Sequence, residues 1–155
     1  MVKMWNAFLN LGYCVDNTIC NLIYLLFHFW KIPAGLRRLR WARQKKSSIA
    51  GLKGFINDEF IYTPEKIDYR SWVLCFAMRH WREDCDGFAG FAKWLMKRDG
   101  YETAYFSLFS KGWGHAVCLF WIEGDRCWVA DTSGVKPFTN WSMYPKAERK
   151  IRRWY

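Results

Sequence analysis

The sequence predicts an α+β fold with a helical N-terminal arm, and two patterns carry this prediction. In residues 4–30, apolar side chains recur every three or four positions, which is typical of an amphipathic helix. Further along the chain, a helical stretch over 88–98 is followed by apolar segments at 102–109, 115–122 and 127–132 that are typical of β-strands. A length of 155 residues suits one compact domain with a modest core.

The chain is predicted to divide into an arm and a core. Residues 1–54 contain the helical arm and a basic connector, and residues 55–155 form the core, which ends in a basic tail over 141–155. We found no internal repeat and no low-complexity segment. Hydrophobic residues make up 52% of the chain and charged residues 25%, which is the balance of a folded protein.

The connector contains several residues that interrupt helices. Pro33 and Gly35 are predicted to end the arm helix, since neither continues a helix well. A short basic helix is predicted over 36–44. Gly51 and Gly54 are expected to loosen the chain before the core.

The arm helix has two faces of different character. The apolar stripe is formed by Phe8, Leu11, Val15, Ile19, Leu22, Leu26 and Trp30. The opposite face, at the same period, carries Asn6, Asn10, Tyr13, Asn17, Asn21, Tyr24 and His28. Three interpretations are open: the stripe packs on its own domain, lies in a membrane interface, or pairs with a partner helix. The densest apolar run, 19–30, is too short to span a bilayer alone.

The charge of the chain is strongly basic, with 24 Lys and Arg against 14 Asp and Glu and a net charge of +10. One cluster, in the connector, contains Lys31, Arg37, Arg38, Arg40, Arg43, Lys45 and Lys46. A second cluster contains Lys146, Arg149, Lys150, Arg152 and Arg153. Such clusters attract anionic lipid or nucleic acid, or simply form a solvated face. Beside an apolar arm, they favour an anionic membrane surface, contacted through residues 4–46, over nucleic acid.

Cysteine usage and the N-terminus bear on the cellular compartment. The six cysteines are irregularly spaced without a Cys-x-x-Cys pair, and Cys118 and Cys127 lie in apolar runs that suit buried free thiols. The segment after Lys3 lacks a small-residue cleavage site, so we do not predict a signal peptide. We therefore expect a cytoplasmic protein, with membrane association left open by the arm. No motif predicts a cofactor.

Cys85 is the candidate nucleophile because of its place at the start of a predicted helix. Asp84 is the predicted N-cap residue, and Gly100 suits the position after the last turn. In the first turn, the helix dipole and the unpaired N–H groups favour the thiolate. The acidic neighbours Asp84 and Asp86 oppose this effect, so the thiol requires a nearby base.

His115 is the predicted base and Asp131 the residue that orients it. His115 begins one predicted strand and Asp131 ends the next, so an antiparallel pair brings them to the same end. A carboxylate there fixes the imidazole tautomer and stabilises its protonated form. A two-residue loop at Gly124-Asp125 would place the two side chains on opposite faces. We therefore predict a three-residue loop centred on Glu123, or an equivalent bulge, that pairs His115 with Asp131.

These residue types also suit other roles. His80 is a rival base because it lies close to Cys85 in the sequence. Cys85, His115 and Asp131 are also zinc-ligand types, but they lack the closely spaced pair that is typical of zinc sites, so no metal is predicted.

Three segments resemble the pattern of bacterial transglutaminase-like cysteine peptidases. They are Asp-Cys-Asp-Gly-Phe-Ala at 84–89, Gly-His-Ala-Val at 114–117 and Val-Ala-Asp-Thr at 129–132. Members of that family carry roughly Asp-Cys-Asp-Asp-Phe/Tyr-Ala, Gly-His-Ala-Val and Leu-Asp-Asn in the same order. Here Gly87 replaces the usual second acid, and Thr132 stands where Asn is common. Gly87 also brings the motif closer to the Asp-Cys-Ser-Gly-Phe run of cell-wall cysteine endopeptidases, which usually place the His further from the Cys.

The resemblance implies a papain-like fold, in which the nucleophile helix packs on an antiparallel sheet that carries His and Asp. It implies an amide hydrolase, a peptidase or amidase, in which Cys85, His115 and Asp131 form the triad and pass the substrate through a thioester. Trp81 or Trp72 is implied as an oxyanion donor, although each also suits an aromatic core. Alternative functions are a protein transglutaminase, a cell-wall cysteine endopeptidase, and a non-catalytic binding module whose basic termini hold membrane or nucleic acid.

Overall fold

The computed structural model describes residues 18–46, 48–64, 72–110, 113–122, 126–144 and 150–154. Its helices are α1 (Thr18–Phe27), α2 (Ile32–Lys46), α3 (Ile49–Asp58), α4 (Val73–Met78) and α5 (Cys85–Arg98). Its strands are β1 (Ile61–Tyr62), β2 (Arg82–Glu83), β3 (Glu102–Ser110), β4 (Trp113–Ile122), β5 (Arg126–Asp131), β6 (Gly134–Pro137) and β7 (Lys150–Trp154). Within these residues the predicted α+β class is confirmed.

The main sheet is antiparallel, with the strand order β6-β5-β4-β3-β7. The three strands predicted from the sequence are β3, β4 and β5. The predicted tail over 141–155 is only partly a tail, because β7 lies within it and pairs with β3. A separate two-stranded sheet joins β1 and β2 in parallel, just before α5 begins.

Helix α5 begins and ends as its sequence predicts. The Asp84 carboxylate accepts the N–H of Asp86 at 3.1 Å and so caps the first turn. Gly100, with φ +91°, takes the left-handed conformation that follows the last turn. The buried face of α5 packs on the same side of the sheet as Cys118 and Phe120, and its apolar members are Phe88, Ala89, Phe91, Ala92, Leu95 and Met96.

An aromatic cluster fills the core beneath α5. The ring centroids of Phe55, Phe76, Trp81 and Phe91 lie 4.7–6.4 Å apart, mostly in tilted or edge-to-face contacts. Ala42 of α2 and Leu52 of α3 are fully buried in the same core. The main core therefore draws on residues from both sides of position 55.

The glycines and the proline of the connector lie inside helices, so the predictions that they end or loosen the chain were wrong. Pro33 is in the first turn of α2, where its missing N–H removes no helical hydrogen bond. At Gly35, an added Cβ would lie 2.6 Å from Cγ of Met78, so the absence of a side chain lets α2 approach α4. Gly51 and Gly54 are both within α3. Packing between helices outweighs their low helix propensity.

The described part of the arm packs on the domain through its polar face. Asn21 is fully buried, and its side-chain oxygen accepts the backbone N–H of Trp72 at 2.7 Å, just before α4. The ring of Tyr24 lies 4.7 Å from the guanidinium of Arg79, and the ring of His28 stacks on Tyr24 at 4.3 Å. These contacts fix which side of α1 faces the domain.

The apolar stripe of α1 faces outward. The exposed fractions are 49% for Ile19, 52% for Leu22, 71% for Leu26 and 62% for Trp30. The interpretation in which the stripe packs on its own domain is therefore wrong for the described residues, because Asn21 satisfies a buried N–H that an apolar side chain would leave unpaired. Residues 4–17 of the predicted arm lie outside the described residues. Within the described chain, no single helix is long and apolar enough to cross a membrane; only α1 together with 29–46, a pair bent by 83°, has the length and composition.

Candidate active site

The two strands β4 and β5 bring His115 and Asp131 together. Cys118 pairs with Ala130 and Ile122 with Arg126, which leaves three residues, 123–125, between the strands. Continued along this register, Asp131 lies opposite residue 117 rather than opposite His115. The predicted pairing is thus wrong by two positions, but an even shift keeps both side chains on the same face. Nε2 of His115 lies 3.6 Å from Oδ2 of Asp131.

Asp131 is held by several donors besides His115. It is 1% exposed, and it accepts the backbone N–H of Ser133 at 2.7 Å and the Ser133 hydroxyl at 2.5 Å. The hydroxyl of Tyr144 donates to its other oxygen at 2.5 Å, and Lys136 Nζ lies 3.9 Å away. Burial by itself would raise the pKa of Asp131, but the nearby His115 and the hydrogen bonds from Ser133 and Tyr144 outweigh it and hold the pKa well below its ordinary value. Asp131 therefore stays ionised at neutral pH.

Tyr144 supports the His–Asp pair from the outer face of the sheet. Burial and the nearby charge of Asp131 raise the pKa of its phenol far above the ordinary value, so that it remains a neutral donor. Its ring centroid lies 5.7 Å from that of His115. Sequence reasoning missed both Tyr144 and Ser133. The Asp131-Thr132-Ser133 sequence carries a signal for Ser133, since Asp side chains accept backbone N–H groups two residues on, whereas Tyr144 has no local signal.

Cys85 is the first residue of α5, and its thiol lies against the backbone of Ala116 on β4. Burial and then the charge of Asp84 raise the pKa of the thiol to about 12, although hydrogen bonds from the Ala116 backbone and from its own backbone lower it. The helix start therefore does not make the thiolate the resting form. The sequence argument that acidic neighbours make a base necessary agrees with this result.

The Cys85 thiol approaches β4 at Ala116, the residue after His115, but the His115 side chain lies on the other side of the sheet. Ala116 is buried in the core with α5, whereas His115 points to the opposite face because strand side chains alternate. Among the described residues, no hydrogen bond joins Cys85 to His115. The structure thus brings His115 and Asp131 together as a pair and places the Cys85 thiol against Ala116, the residue next to His115.

Tyr62 lies beside the thiol and was not predicted. Strand β1 runs next to β2, and the N–H of Thr63 donates to the Glu83 carbonyl at 2.9 Å. Burial and then the charges of Cys85 and Asp84 raise the pKa of the Tyr62 phenol, so this group is within electrostatic reach of the thiol. Tyr62 is 56% exposed, which puts it at the outer edge of the site.

The two tryptophans implied as oxyanion donors have different surroundings. Trp81 is 4% exposed and belongs to the aromatic core. Trp72 is 39% exposed at the start of α4, and its backbone N–H is bound by Asn21. Neither indole forms a hydrogen bond with Cys85 among the described residues, so the oxyanion role stays a prediction.

His80, the rival base, is part of a cationic group. Both of its ring nitrogens lie 3.0 Å from Nη2 of Arg38. Burial and then the charges of Arg38, Lys31 and Arg82 lower the pKa of His80. Its described partner is thus Arg38 rather than Cys85.

The departure at Gly87 has a structural reason. A Cβ built at Gly87 would lie 2.0 Å from Cγ of Glu83, so the Glu83 side chain fills the space next to this position. Glu83 is 1% exposed, and its carboxylate accepts two hydrogen bonds from Arg79, at 3.0 and 3.2 Å. The space beside Gly87 is therefore filled by a buried acid from β2.

Comparisons with protein-family models, curated proteins and solved structures return no match for this chain. Among the described residues, no group of three or more His, Cys, Asp or Glu side chains is arranged to hold a metal ion. The five cysteines in the described part of the chain, Cys20, Cys75, Cys85, Cys118 and Cys127, are free thiols. The chemistry of the site therefore has to be argued from its geometry.

Proposed function

We propose that the protein is a cysteine-dependent amide hydrolase, a peptidase or amidase, with a papain/transglutaminase-like core. The packing of α5 on an antiparallel sheet, with Cys85 at the helix start, supports this fold. The observation that carries the function is the contact of the Cys85 thiol with the Ala116 backbone. This contact lies one residue from a His115–Asp131 pair that is already formed.

The proposed reaction starts from a neutral thiol. Since Nε2 of His115 faces Asp131, Nδ1 is the atom that takes the proton from Sγ of Cys85. With a thiol pKa of about 12, this transfer accompanies attack on the substrate instead of preceding it. Because His115 points to the opposite face of the sheet from the thiol, this transfer requires the start of β4, residues 113–115, to turn the imidazole toward Sγ when substrate binds. A change of side-chain rotamer alone does not carry the ring across the strand.

The later steps consume one water and restore the thiol. Sulfur bonds to the substrate carbonyl carbon, the C–N bond breaks, and the His115 imidazolium gives its proton to the departing amine. Water then attacks the thioester carbon while His115 takes one of its protons, the C–S bond breaks to release the carboxylic acid, and the proton from water passes from His115 to sulfur. Asp131 remains an anion throughout and stabilises the imidazolium.

The test uses the full chain and a mixed library of peptide amides. Turnover is followed by liberated amine, and acid-quenched samples are analysed by intact-protein mass spectrometry for an acyl adduct. Cys85→Ala is expected to lower turnover by about 10³-fold or more and to remove the adduct. His115→Ala is expected to lower it by about 10²–10⁴-fold. Cys127→Ala, at another free and partly buried cysteine, is the matched control and should behave as the unmodified protein.

Two results would contradict the proposal. Turnover that survives Cys85→Ala would exclude Cys85 as the nucleophile. Equal alkylation of Cys85 and Cys127 by iodoacetamide, in the absence of turnover, would favour a non-catalytic binding module. Adding a primary amine distinguishes the acceptor. Incorporation of that amine in preference to hydrolysis would make the enzyme a transglutaminase with the same acyl-enzyme step.

A further inference from the structure

Helix α1 presents a continuous apolar face to solvent. Five of its ten residues are large aliphatic or aromatic side chains with exposed fractions of 49–71%: Ile19, Leu22, Ile23, Leu26 and Phe27. The next turn adds Phe29 and Trp30, at 64% and 62%. Soluble proteins rarely leave so many adjacent large apolar side chains uncovered, and patches of this kind mark interaction surfaces.

The orientation of this face is set by bonds on the opposite side of the helix. Rotating α1 to bury the apolar residues would break the Asn21 bond to the Trp72 N–H and the stacking of Tyr24 on Arg79. Loss of the Asn21 hydrogen bond would leave a buried polar group unpaired. The outward apolar face is thus a consequence of how α1 is held.

The charge next to this face is entirely of one sign. Residues 18–46 contain no Asp or Glu, whereas residues 31–46 contain seven Lys and Arg. On α2, Arg37 and Arg40 lie on the exposed side together with Leu36. The exposed surface of α2, the helix that follows Trp30, therefore carries cationic side chains beside an apolar one.

A cationic cleft opens where the apolar face ends. It has a volume of about 660 Å³, and its charged lining consists of Lys31, directly after Trp30, with Arg79, Arg82 and Glu83, the last of which is paired with Arg79. At its wall, His80 has φ +59° and the following residue, Trp81, has φ +61°, a conformation that side-chain-bearing residues adopt at an energetic cost. The cleft is large enough for an anionic headgroup, and its lining carries more basic than acidic side chains.

We propose that the α1–α2 face docks on an anionic lipid bilayer, with the apolar side chains of α1 at the acyl boundary and the α2 cations against the headgroups. A helix lying alone in a membrane interface would need cations on its own polar face. Here that face is buried on the domain, and α2 supplies the cations instead. A partner helix would match the apolar stripe but would leave Arg37 and Arg40 without a counterpart. The inference does not depend on the proposed catalysis.

The test is co-sedimentation of the full chain with phosphatidylcholine vesicles that contain or lack phosphatidylserine. Leu26→Ser/Phe27→Ser should lower the partition coefficient at least about tenfold, because these two side chains are the most exposed of α1 and supply the inserted apolar area. A thermal melt checks that this double variant stays folded, as expected for solvent-exposed positions.

The charge contribution is tested with a matched pair of double variants. Arg37→Gln/Arg40→Gln should weaken binding to phosphatidylserine vesicles by about tenfold or more at low salt and by less at high salt. Lys97→Gln/Arg98→Gln, at the exposed end of α5, also lowers the net charge from +10 to +8 (10 − 2) and should change binding less than about twofold.

Several outcomes would overturn the proposal. One is vesicle binding by Leu26→Ser/Phe27→Ser that equals that of the unmodified protein. A second is binding that Arg37→Gln/Arg40→Gln and Lys97→Gln/Arg98→Gln weaken to the same extent. A third is binding that resists alkaline carbonate extraction, which would mean that a segment is inserted into the bilayer. A lipid-free dimer in sedimentation velocity that Leu26→Ser/Phe27→Ser abolishes would instead make this face an interface between copies of the chain.

Discussion

Replacing Gly87 by Ala tests whether the turn that carries Cys85 is shaped by the buried Glu83. The added Cβ would lie 2.0 Å from Cγ of Glu83 and 3.0 Å from its Cδ, so the Glu83 side chain has to move. Moving it disturbs a carboxylate that is fully buried and bound to Arg79 at 3.0 Å. Overpacking costs about 1–3 kcal/mol, and separating a buried ion pair costs about 3–5 kcal/mol. Because moving Glu83 relieves the overpacking, the ion-pair cost is the one that applies. Alanine returns about 1 kcal/mol of helix propensity, so we expect a net destabilisation of about 2–4 kcal/mol.

Urea denaturation followed by circular dichroism measures this difference. Gly54→Ala is the control, because an added Cβ there meets only side-chain ends at 3.6 and 3.7 Å and should stabilise the protein by about 0.5–1 kcal/mol. In a Glu83→Ala background the obstacle is gone, and Gly87→Ala should then cost less than about 1 kcal/mol. If Gly87→Ala costs the same in both backgrounds, or stabilises as Gly54→Ala does, the steric argument is refuted.

Two further predictions concern the electrostatics of the site. Asp84→Asn should raise the rate of Cys85 alkylation by iodoacetamide severalfold at fixed pH. Burial is the largest cause of the raised thiol pKa of about 12, Asp84 is the charge that adds most to it, and Asn still caps the helix. Peptide mapping measures this rate, Asp99→Asn at the far end of α5 is the control, and equal rates for the two variants would contradict the assignment. Tyr144→Phe should destabilise the protein by about 1–3 kcal/mol at pH 7 by removing a buried hydrogen bond to Asp131. Because the folded pKa of Asp131 is depressed well below its ordinary 3.8, its contribution is fully present above about pH 4 and is lost as the pH falls through the folded pKa. Acid unfolding of Tyr144→Phe should therefore have its midpoint at a higher pH than that of the unmodified protein, and an unchanged midpoint would disprove this linkage.

Features that depend on neighbouring residues could be predicted from the sequence. The limits of α5 follow from the Asp84 cap and the left-handed Gly100, both of which act within one turn. The placement of His115 and Asp131 at the same end of the sheet follows from the antiparallel pairing of consecutive strands. Their common face requires an odd number of loop residues, and neither this length nor the offset by two residues follows from the sequence, because Gly124-Asp125 suits a two-residue loop as well as a three-residue one.

Features that depend on distant contacts could not be predicted. Helical period alone located the stripe of α1 but not its orientation, which depends on the distant Trp72 N–H that Asn21 binds. Pro33 was predicted to end a helix, but proline is also common in the first turn of a helix. The packing of α2 decides between these two positions, and Pro33 lies in its first turn. Likewise, Tyr144 reaches Asp131 from 13 residues further along the chain.

Strand β7 has a consequence for how the chain avoids self-association while it is being made. β3 ends at Ser110, and its outer neighbour begins at Lys150, so one side of β3 has no strand to pair with until about 40 further residues have been synthesised. An unpaired edge of this kind invites strand addition from a second chain. Once β7 is in place it becomes the new edge, and three of its five residues are Lys or Arg. An edge strand of this composition disfavours pairing with a second copy of the chain.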